Sequence, residues 1–203
     1  MPGGGIWLNT QRPEWNDANN ALAGWGLSMV TVYYIRRYLA FCRAVFVDAG
    51  DAVYHMAAPL AALMAKVSEA LRDTADVAGT LQTLGRAGEA YRAAVYGRTL
   101  GAATADVPLA QILDLFDTAQ AAVDRCIRAN RRPDGLYHAY NTLGWDAGVV
   151  TVEHLDVMLE GQVAILSAGL LSDVEVLDML KALRASDLHR ADHCHGGTSP
   201  KCC

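Results

Sequence analysis

The chain has 203 residues, of which 52% are hydrophobic and 19% charged, and its formal net charge is −5. This composition excludes a disordered chain, because enough apolar side chains are present to build a sizeable core. The 17 basic residues are outnumbered by 22 acidic ones and form no basic stripe, so we expect no nucleic-acid partner. No secretory signal and no bilayer-spanning stretch stands out, and we expect a cytoplasmic protein without membrane contact.

Apolar residues at steps of three and four predict a first long helix over residues 27–47. It is apolar nearly all round, so we expect it to be buried on most sides. The same spacing predicts a second helix from Val53 to Leu71, with Pro59 tolerated or kinking it. A weaker helix, rich in Ala and Gly, is predicted over about residues 78–100.

The second half of the chain carries clearer boundary signals. Asp106 is expected to cap an amphipathic helix with Pro108 in its first turn. Residues 131–135 are predicted to form a loop, and Thr151 is expected to open a further helix. Residues 172–175, Ser-Asp-Val-Glu, form a capping-box signature that predicts the start of the last helix.

No run alternates with period two for long enough to make a convincing strand, and the stretch around Gly144 and Gly148 is interpreted as irregular. The sequence therefore predicts an all-α fold of about six to seven helices in antiparallel hairpins. Residues 1–186 are expected to form one helical domain. No fixed-period repeat indicates a solenoid.

The five cysteines divide into two groups. Cys42 and Cys126 fall within predicted helices and are expected to be reduced core thiols. The other three belong to residues 187–203, a stretch rich in His and Cys that is predicted to be a disordered or aberrant tail. Its donors suit zinc or nickel, but it has no CxxC pair and no framing fold, so no metal site is assigned.

Amides and carboxylates are dense over residues 12–20, directly before the first long helix. On physical grounds this is a helix start, in which Asn16 or Asp17 caps and Trp15 packs as an apolar staple. A carboxylate at such a position is held ionised by the helix N-terminus. A general acid needs the opposite, a pKa raised by apolar surroundings such as Trp15 and Trp25 provide.

The run Trp15-Asn16-Asp17, followed by Ala18-Asn19-Asn20 and a long apolar helix, resembles a segment of cellobiose phosphorylase-type enzymes of the six-hairpin glycosidases. The resemblance covers about the first quarter of the chain and implies an (α/α)6-barrel catalytic domain. It implies that Asp17 is the general acid that protonates the glycosidic oxygen. Glu14 stands where the family has Asp, and Ala18-Asn19 replaces Gly-Met, which bears on sugar contacts more than on the acid.

The same resemblance implies an oligosaccharide or glycoside substrate, with Arg12, Glu14, Trp15 and Asn16 as its contacts. An inverting hydrolase needs a second carboxylate about 6.5–9.5 Å from the acid to activate water. Glu14 is a candidate for it, although it more readily helps the helix cap.

In an inverting phosphorylase, phosphate itself attacks, so the expected cofactor list is empty apart from inorganic phosphate as co-substrate. Arg12, Arg36 and Arg37 are the nearby cations for that phosphate. The alternative for Arg36 and Arg37 is a solvated or ion-paired helix edge.

Tyr137, His138, Tyr140 and Asn141 form a second polar and aromatic cluster. Aromatic faces stack on sugar rings and amides bind hydroxyls, so a loop at a barrel mouth can use such a set to bind substrate. Alternatively, the rings pack beside a helix with their polar tips in water. Trp145, next to Asp146, is interpreted as structural.

A full (α/α)6 barrel has twelve helices, about twice the number predicted here. We therefore expect the C-terminal part of a longer carbohydrate-active enzyme, inactive alone or self-associating through exposed apolar helix faces. The alternative is a non-catalytic helical-bundle interaction protein, with an apolar outer patch on the first long helix.

Overall fold

The computed structural model describes residues 1–8, 21–50, 52–72, 74–147 and 149–190. In these ranges the chain forms six helices and six strands. The helices are α1 (Met29–Ala49), α2 (Ala58–Arg72), α3 (Val77–Tyr96), α4 (Leu109–Ala129), α5 (Leu159–Ala168) and α6 (Asp173–Ala185). The strands are β1 (Ile6–Trp7), β2 (Gly26–Ser28), β3 (Val53–Ala57), β4 (Thr104–Pro108), β5 (Tyr140–Asp146) and β6 (Val149–His154).

The strands form two antiparallel sheets, one of four strands in the order β1-β2-β5-β6 and one of β3 with β4. Leu27 of β2 pairs with Trp7 of β1 on one side and with Asn141 of β5 on the other. The prediction of an all-α fold is therefore wrong, and so is the helical toroid that the resemblance implied: the described chain is mixed α and β.

The predicted start of the second helix is the clearest of these corrections. Val53 and Ala57 fit a helical spacing, yet they lie on β3, where Val53 pairs with Pro108 of β4. The helix begins only at Ala58, which puts Pro59 in its first turn, where a missing N–H leaves no helical bond unmade.

Two further predicted helix starts are strands. Asp106 lies on β4 and does not cap α4, whose N-cap is Pro108. Thr151 lies on β6 and pairs with Gly144 of β5, so Gly144, which was interpreted as part of an irregular stretch, also lies on a strand. The helix there begins only at Leu159.

Two predictions based on local chemistry are confirmed. The Ser172 hydroxyl accepts from the backbone N–H of Glu175, and the Glu175 carboxylate accepts from the backbone N–H of Ser172 at 2.8 Å, which completes the capping box. The predicted loop over residues 131–135 is also present, and Gly135 turns it with a φ of 84°.

The core lies where α1, α4 and α5 meet the four-stranded sheet. Its fully buried members are Leu27, Met29, Tyr33, Ile127, Leu136 and Ile165. Arg36 ties the helices together, since it pairs with Asp124 of α4 at 2.7 Å and donates to the Ala168 carbonyl of α5 at 2.6 Å. The face of α1 that carries Arg36 is thus fixed against both neighbours.

The opposite face of α1 is exposed to solvent. Tyr34, Tyr38, Phe41 and Val45 recur at steps of three and four and are between 47% and 64% exposed. A helix that the sequence predicts to be buried on most sides therefore presents an apolar, largely aromatic stripe. No helix in the described ranges is both long and apolar enough to cross a bilayer.

Cys42 and Cys126 are both free thiols. Cys126 is buried, and burial raises the pKa of its thiol, so it stays protonated and is a poor nucleophile. The chain from residue 191 onward lies outside the described residues, and the division into a domain and a tail stays a prediction.

Candidate functional site: a tryptophan-lined cleft

A cleft of about 1080 Å³ lies between α3 and the four-stranded sheet. Sites for small molecules usually measure about 300–1,000 Å³, so this space is large enough for a short oligosaccharide. Its sheet side carries Trp7, Leu27, Leu143 and Trp145, and its helix side includes Asp76, Gln82, Glu89 and Arg92. We refer to it as the tryptophan cleft.

The two indole rings are the most accessible apolar groups of the cleft. Trp7 is 50% exposed and Trp145 is 58% exposed. The indole N–H of Trp7 donates to the Gly24 carbonyl at 3.0 Å, which fixes the edge of the ring. Large aromatic side chains that stand half in water along a concave wall indicate a surface that a ligand covers.

The helix side supplies the polar groups. Asp76 is the N-cap of α3, and its carboxylate accepts from the backbone N–H of Gly79 at 2.9 Å. Glu89 and Arg92 form an ion pair one turn apart. Gln82 lies two turns before Glu89 on the same face of the helix. An amide, a guanidinium and two carboxylates therefore stand opposite the indole rings.

The segment that carries Trp7 is held by two buried asparagines. The Asn130 side-chain amide donates to the Gly3 carbonyl at 2.8 Å, and that of Asn141 donates to the Gly4 carbonyl at 2.7 Å. Asn141 also donates to the side-chain oxygen of Asn130 at 2.8 Å. Both asparagines are 0% exposed, so the wall that carries Trp7 rests on a rigid polar support.

The structure brings together the sequence-predicted cluster of Tyr137, His138, Tyr140 and Asn141, but places it in the protein interior. All four are buried, the most exposed being His138 at 8%, and none lines the tryptophan cleft. The Tyr140 hydroxyl donates to the Glu160 carboxylate at 3.1 Å. The cluster therefore supports the sheet rather than forming a rim.

The buried histidine of this cluster stacks on a second one. The rings of His138 and His154 are parallel within 8°, with centroids 4.0 Å apart. Because Asn141 uses both amide hydrogens on Gly4 and Asn130, its oxygen faces Nδ1 of His154 at 2.7 Å, and that nitrogen must donate. Burial lowers the pKa of His138, and the neighbouring His154 lowers it further.

Five sequence-predicted site residues, Arg12, Glu14, Trp15, Asn16 and Asp17, lie outside the described residues. The assignment of Asp17 as general acid, and of the other four as sugar contacts, stays a prediction.

Two of the predicted phosphate ligands, Arg36 and Arg37, lie within the described residues. Arg36 is engaged with Asp124 and Ala168, Arg37 is exposed on α1, and neither lines the tryptophan cleft. Within the described ranges, no group of three or more His, Cys, Asp or Glu side chains is placed to hold a metal ion.

Sequence reasoning missed the tryptophan cleft. Trp7 carries no motif, and Trp145 was interpreted as structural. The available signal is that Leu143 and Trp145, two residues apart, point to the same face once the segment is known to be a strand. Because the sequence does not predict this strand, the spacing of Leu143 and Trp145 could not indicate a shared face.

A second cavity, of about 580 Å³, lies among α1, α2, α3 and α4. Its wall is apolar and includes Ile35, Leu39, Val67, Leu71, Leu84 and Val123. Met1 and Leu84 line both this four-helix cavity and the tryptophan cleft, so the two spaces are neighbours.

No family model matches the chain, and no curated protein matches it at a significant level. The functional proposal therefore rests on the geometry of the tryptophan cleft and on the sequence motif.

Proposed function

We propose that this chain binds carbohydrate in the tryptophan cleft, as part of a carbohydrate-active enzyme that cleaves glycosides by phosphorolysis or hydrolysis. The observation that carries the proposal is the pair of half-exposed indoles, Trp7 and Trp145, opposite the polar face of α3 across a space of oligosaccharide size.

The chemistry of the two walls matches that of a sugar. A pyranose ring presents apolar C–H faces and a rim of hydroxyl groups. Indole faces cover the former, while the Gln82 amide and the carboxylates and guanidinium of α3 exchange hydrogen bonds with the latter. One guanidinium against two carboxylates leaves little net charge, which suits a neutral ligand.

Catalysis is assigned more narrowly. Asp76 is engaged as a helix cap and Glu89 as an ion-pair partner, so neither is proposed as the general acid. Asp17 keeps that role in the proposal, with oligosaccharide or glycoside as substrate and water or inorganic phosphate as nucleophile. A cytoplasmic location belongs to the same proposal.

Binding is tested by calorimetric titration with cellotriose and with maltotriose. Wild type is compared with Trp7→Ala, Trp145→Ala and the matched control Trp25→Ala, whose side chain is 51% exposed but does not line the cleft. We expect at least one sugar to bind, and its Kd to rise about tenfold in the first two variants and to stay unchanged in the third. No binding of either sugar, or equal effects of all three substitutions, would contradict the proposal.

The catalytic step is tested separately. Phosphate release and uptake, and sugar release, are measured on β-glucosides with wild type and Asp17→Asn. The substitution keeps the size of the side chain and removes its acid, so we expect activity to be lost while sugar binding remains. Activity that survives the substitution removes Asp17 from the role.

A second candidate function, self-association, is favoured by one observation. The α1 stripe of Tyr34, Tyr38, Phe41 and Val45 is apolar and exposed along three turns. We propose a second copy of the chain as its partner. Sedimentation of wild type and Phe41→Glu tests this: we expect the substitution to yield monomer, and an unchanged distribution contradicts it.

A further inference from the structure

The tryptophan cleft and the four-helix cavity share a wall. Helix α3 turns its polar face, with Gln82 and Glu89, to the cleft, while Val77 and Thr80 line the cavity. Leu84 lines both spaces, as does Met1. A ligand bound against the indoles therefore has an apolar compartment directly beside it.

We propose that the ligand is an amphiphilic glycoside, whose sugar lies in the tryptophan cleft and whose alkyl or other apolar aglycone enters the four-helix cavity. This inference rests on the proposed carbohydrate-binding function and names the substrate class of that site.

Two polar side chains on the cavity wall already have hydrogen-bond partners within the protein. The Thr80 hydroxyl donates to the Asp76 carbonyl at 2.8 Å, and the Arg125 guanidinium donates to the Leu71 carbonyl at 3.1 Å. Cys126 contributes a thiol that burial keeps protonated. Most of the lining is apolar, so an alkyl chain in the cavity meets apolar side chains from four helices.

The size of the cavity also suits such a chain. Its 580 Å³ falls within the usual range of ligand sites, about 300–1,000 Å³. Each methylene group that moves from water into an apolar space strengthens binding by about fourfold. Affinity is thus expected to rise with chain length until the chain fills the cavity.

The test compares methyl, butyl, hexyl and octyl β-D-glucoside, each below its micelle-forming concentration, by calorimetric titration of the full chain. We expect octyl glucoside to bind at least about tenfold more tightly than methyl glucoside. We also expect Trp7→Ala to weaken octyl glucoside about tenfold, because the sugar and the chain bind together.

A pair of neighbouring substitutions on α4 locates the chain. Ala122 lines the four-helix cavity, whereas Ala121 is exposed and lines neither space. Ala122→Phe fills the cavity, so the advantage of octyl over methyl glucoside is expected to vanish while cellotriose or maltotriose still binds. Ala121→Phe adds the same ring to the outer surface and is expected to change neither affinity.

The outcomes separate the two proposals. If a trisaccharide binds but the alkyl series is flat in wild type, the amphiphile inference is wrong and the carbohydrate proposal stands. If octyl glucoside binds tightly and Trp7→Ala has no effect, or its advantage survives in folded Ala122→Phe, the chain is not seated as proposed. If no sugar binds, both proposals fail. If Ala122→Phe does not fold, a flat wild-type series or an unchanged affinity of Trp7→Ala for octyl glucoside still overturns the inference.

Discussion

Nδ1 of His154 donates a hydrogen bond of 2.7 Å to the side-chain oxygen of Asn141, and through Asn141 strand β6 is connected to the segment that carries Trp7. The amide of Asn141 serves three partners at once: His154, Asn130 and the Gly4 carbonyl. Because both amide hydrogens and the oxygen of Asn141 have partners, the orientation of its side chain is fixed. The buried network thus joins the sheet to one wall of the tryptophan cleft.

Asn141→Ala is expected to lower the free energy of unfolding by about 3 kcal/mol, because it leaves buried polar groups of its partners without a hydrogen bond. Urea denaturation measures the loss. Sugar affinity is expected to fall as well, since the Trp7 segment loses one of its two anchors. A loss below about 0.5 kcal/mol would show that water replaces the amide at little cost.

Stability is expected to fall as the solution is acidified below about pH 6.5, the ordinary pKa of histidine. Burial and His154 lower the pKa of folded His138, and Arg132 acts in the same direction while Asp134 opposes it. Between the folded and the ordinary pKa the unfolded chain binds more protons, so the free energy of unfolding rises with pH through that window. Below the folded pKa, His138 is protonated in both states, and the stability that its neutral form contributes at higher pH is lost.

Urea denaturation of wild type and His138→Gln between pH 5 and 8 measures this effect. The substitution removes the titrating ring, so the curve for the variant is expected to be flatter. Identical pH dependence of the two proteins would assign the effect to other groups.

Two glycines in helices are expected to respond in opposite ways to alanine. At Gly85 of α3 an added Cβ meets nothing within 4 Å, so Gly85→Ala is expected to stabilise by about 0.5–1 kcal/mol through reduced chain entropy. At Gly161 of α5 the added Cβ lies 3.0 Å from the Ala139 side chain and 3.1 Å from its backbone, so Gly161→Ala is expected to destabilise by about 1–3 kcal/mol. Thermal unfolding distinguishes the signs: a stabilised Gly161→Ala contradicts the packing around Gly161, and a destabilised Gly85→Ala contradicts the open space at Gly85.

Loss of the capping box is expected to cost about 1 kcal/mol. Ser172→Ala removes the hydroxyl that accepts from the Glu175 N–H. In the wild type the Glu175 carboxylate accepts from the Ser172 N–H at 2.8 Å. Glu175→Gln keeps an oxygen that can accept this bond, so its loss of unfolding free energy is expected to be smaller. Chemical denaturation of both variants gives the comparison, and a larger loss for Glu175→Gln would assign the effect to charge rather than to the cap.

Two parts of the fold that the sequence predicts well are determined by local chemistry. Ser172 and Glu175 are three residues apart and satisfy each other, so their motif identifies the start of α6 without knowledge of any other element. The loop before Gly135 is determined in the same way, by turn residues.

The strands and the cleft depend on partners that are distant in the chain. Val53 is a strand residue because Pro108 lies opposite, and its helical spacing to Ala57 is equally compatible with a helix when the partner is unknown. Trp7 and Trp145 share a wall only because β2 pairs with both β1 and β5. No spacing within a local window carries that information, so the fold class and the cleft were both missed.

The anchoring of Gly3 and Gly4 also bears on the order in which the molecule assembles. Their partners Asn130 and Asn141 are 127 and 137 residues further along the chain. Contacts across such loops close late, because the entropy of the intervening chain must be lost before they form. During synthesis on the ribosome, the segment that carries Trp7 emerges long before Asn130 and Asn141, so these two anchors cannot form until β5 has begun. The tryptophan cleft is therefore incomplete until β5, which carries Trp145, has been made.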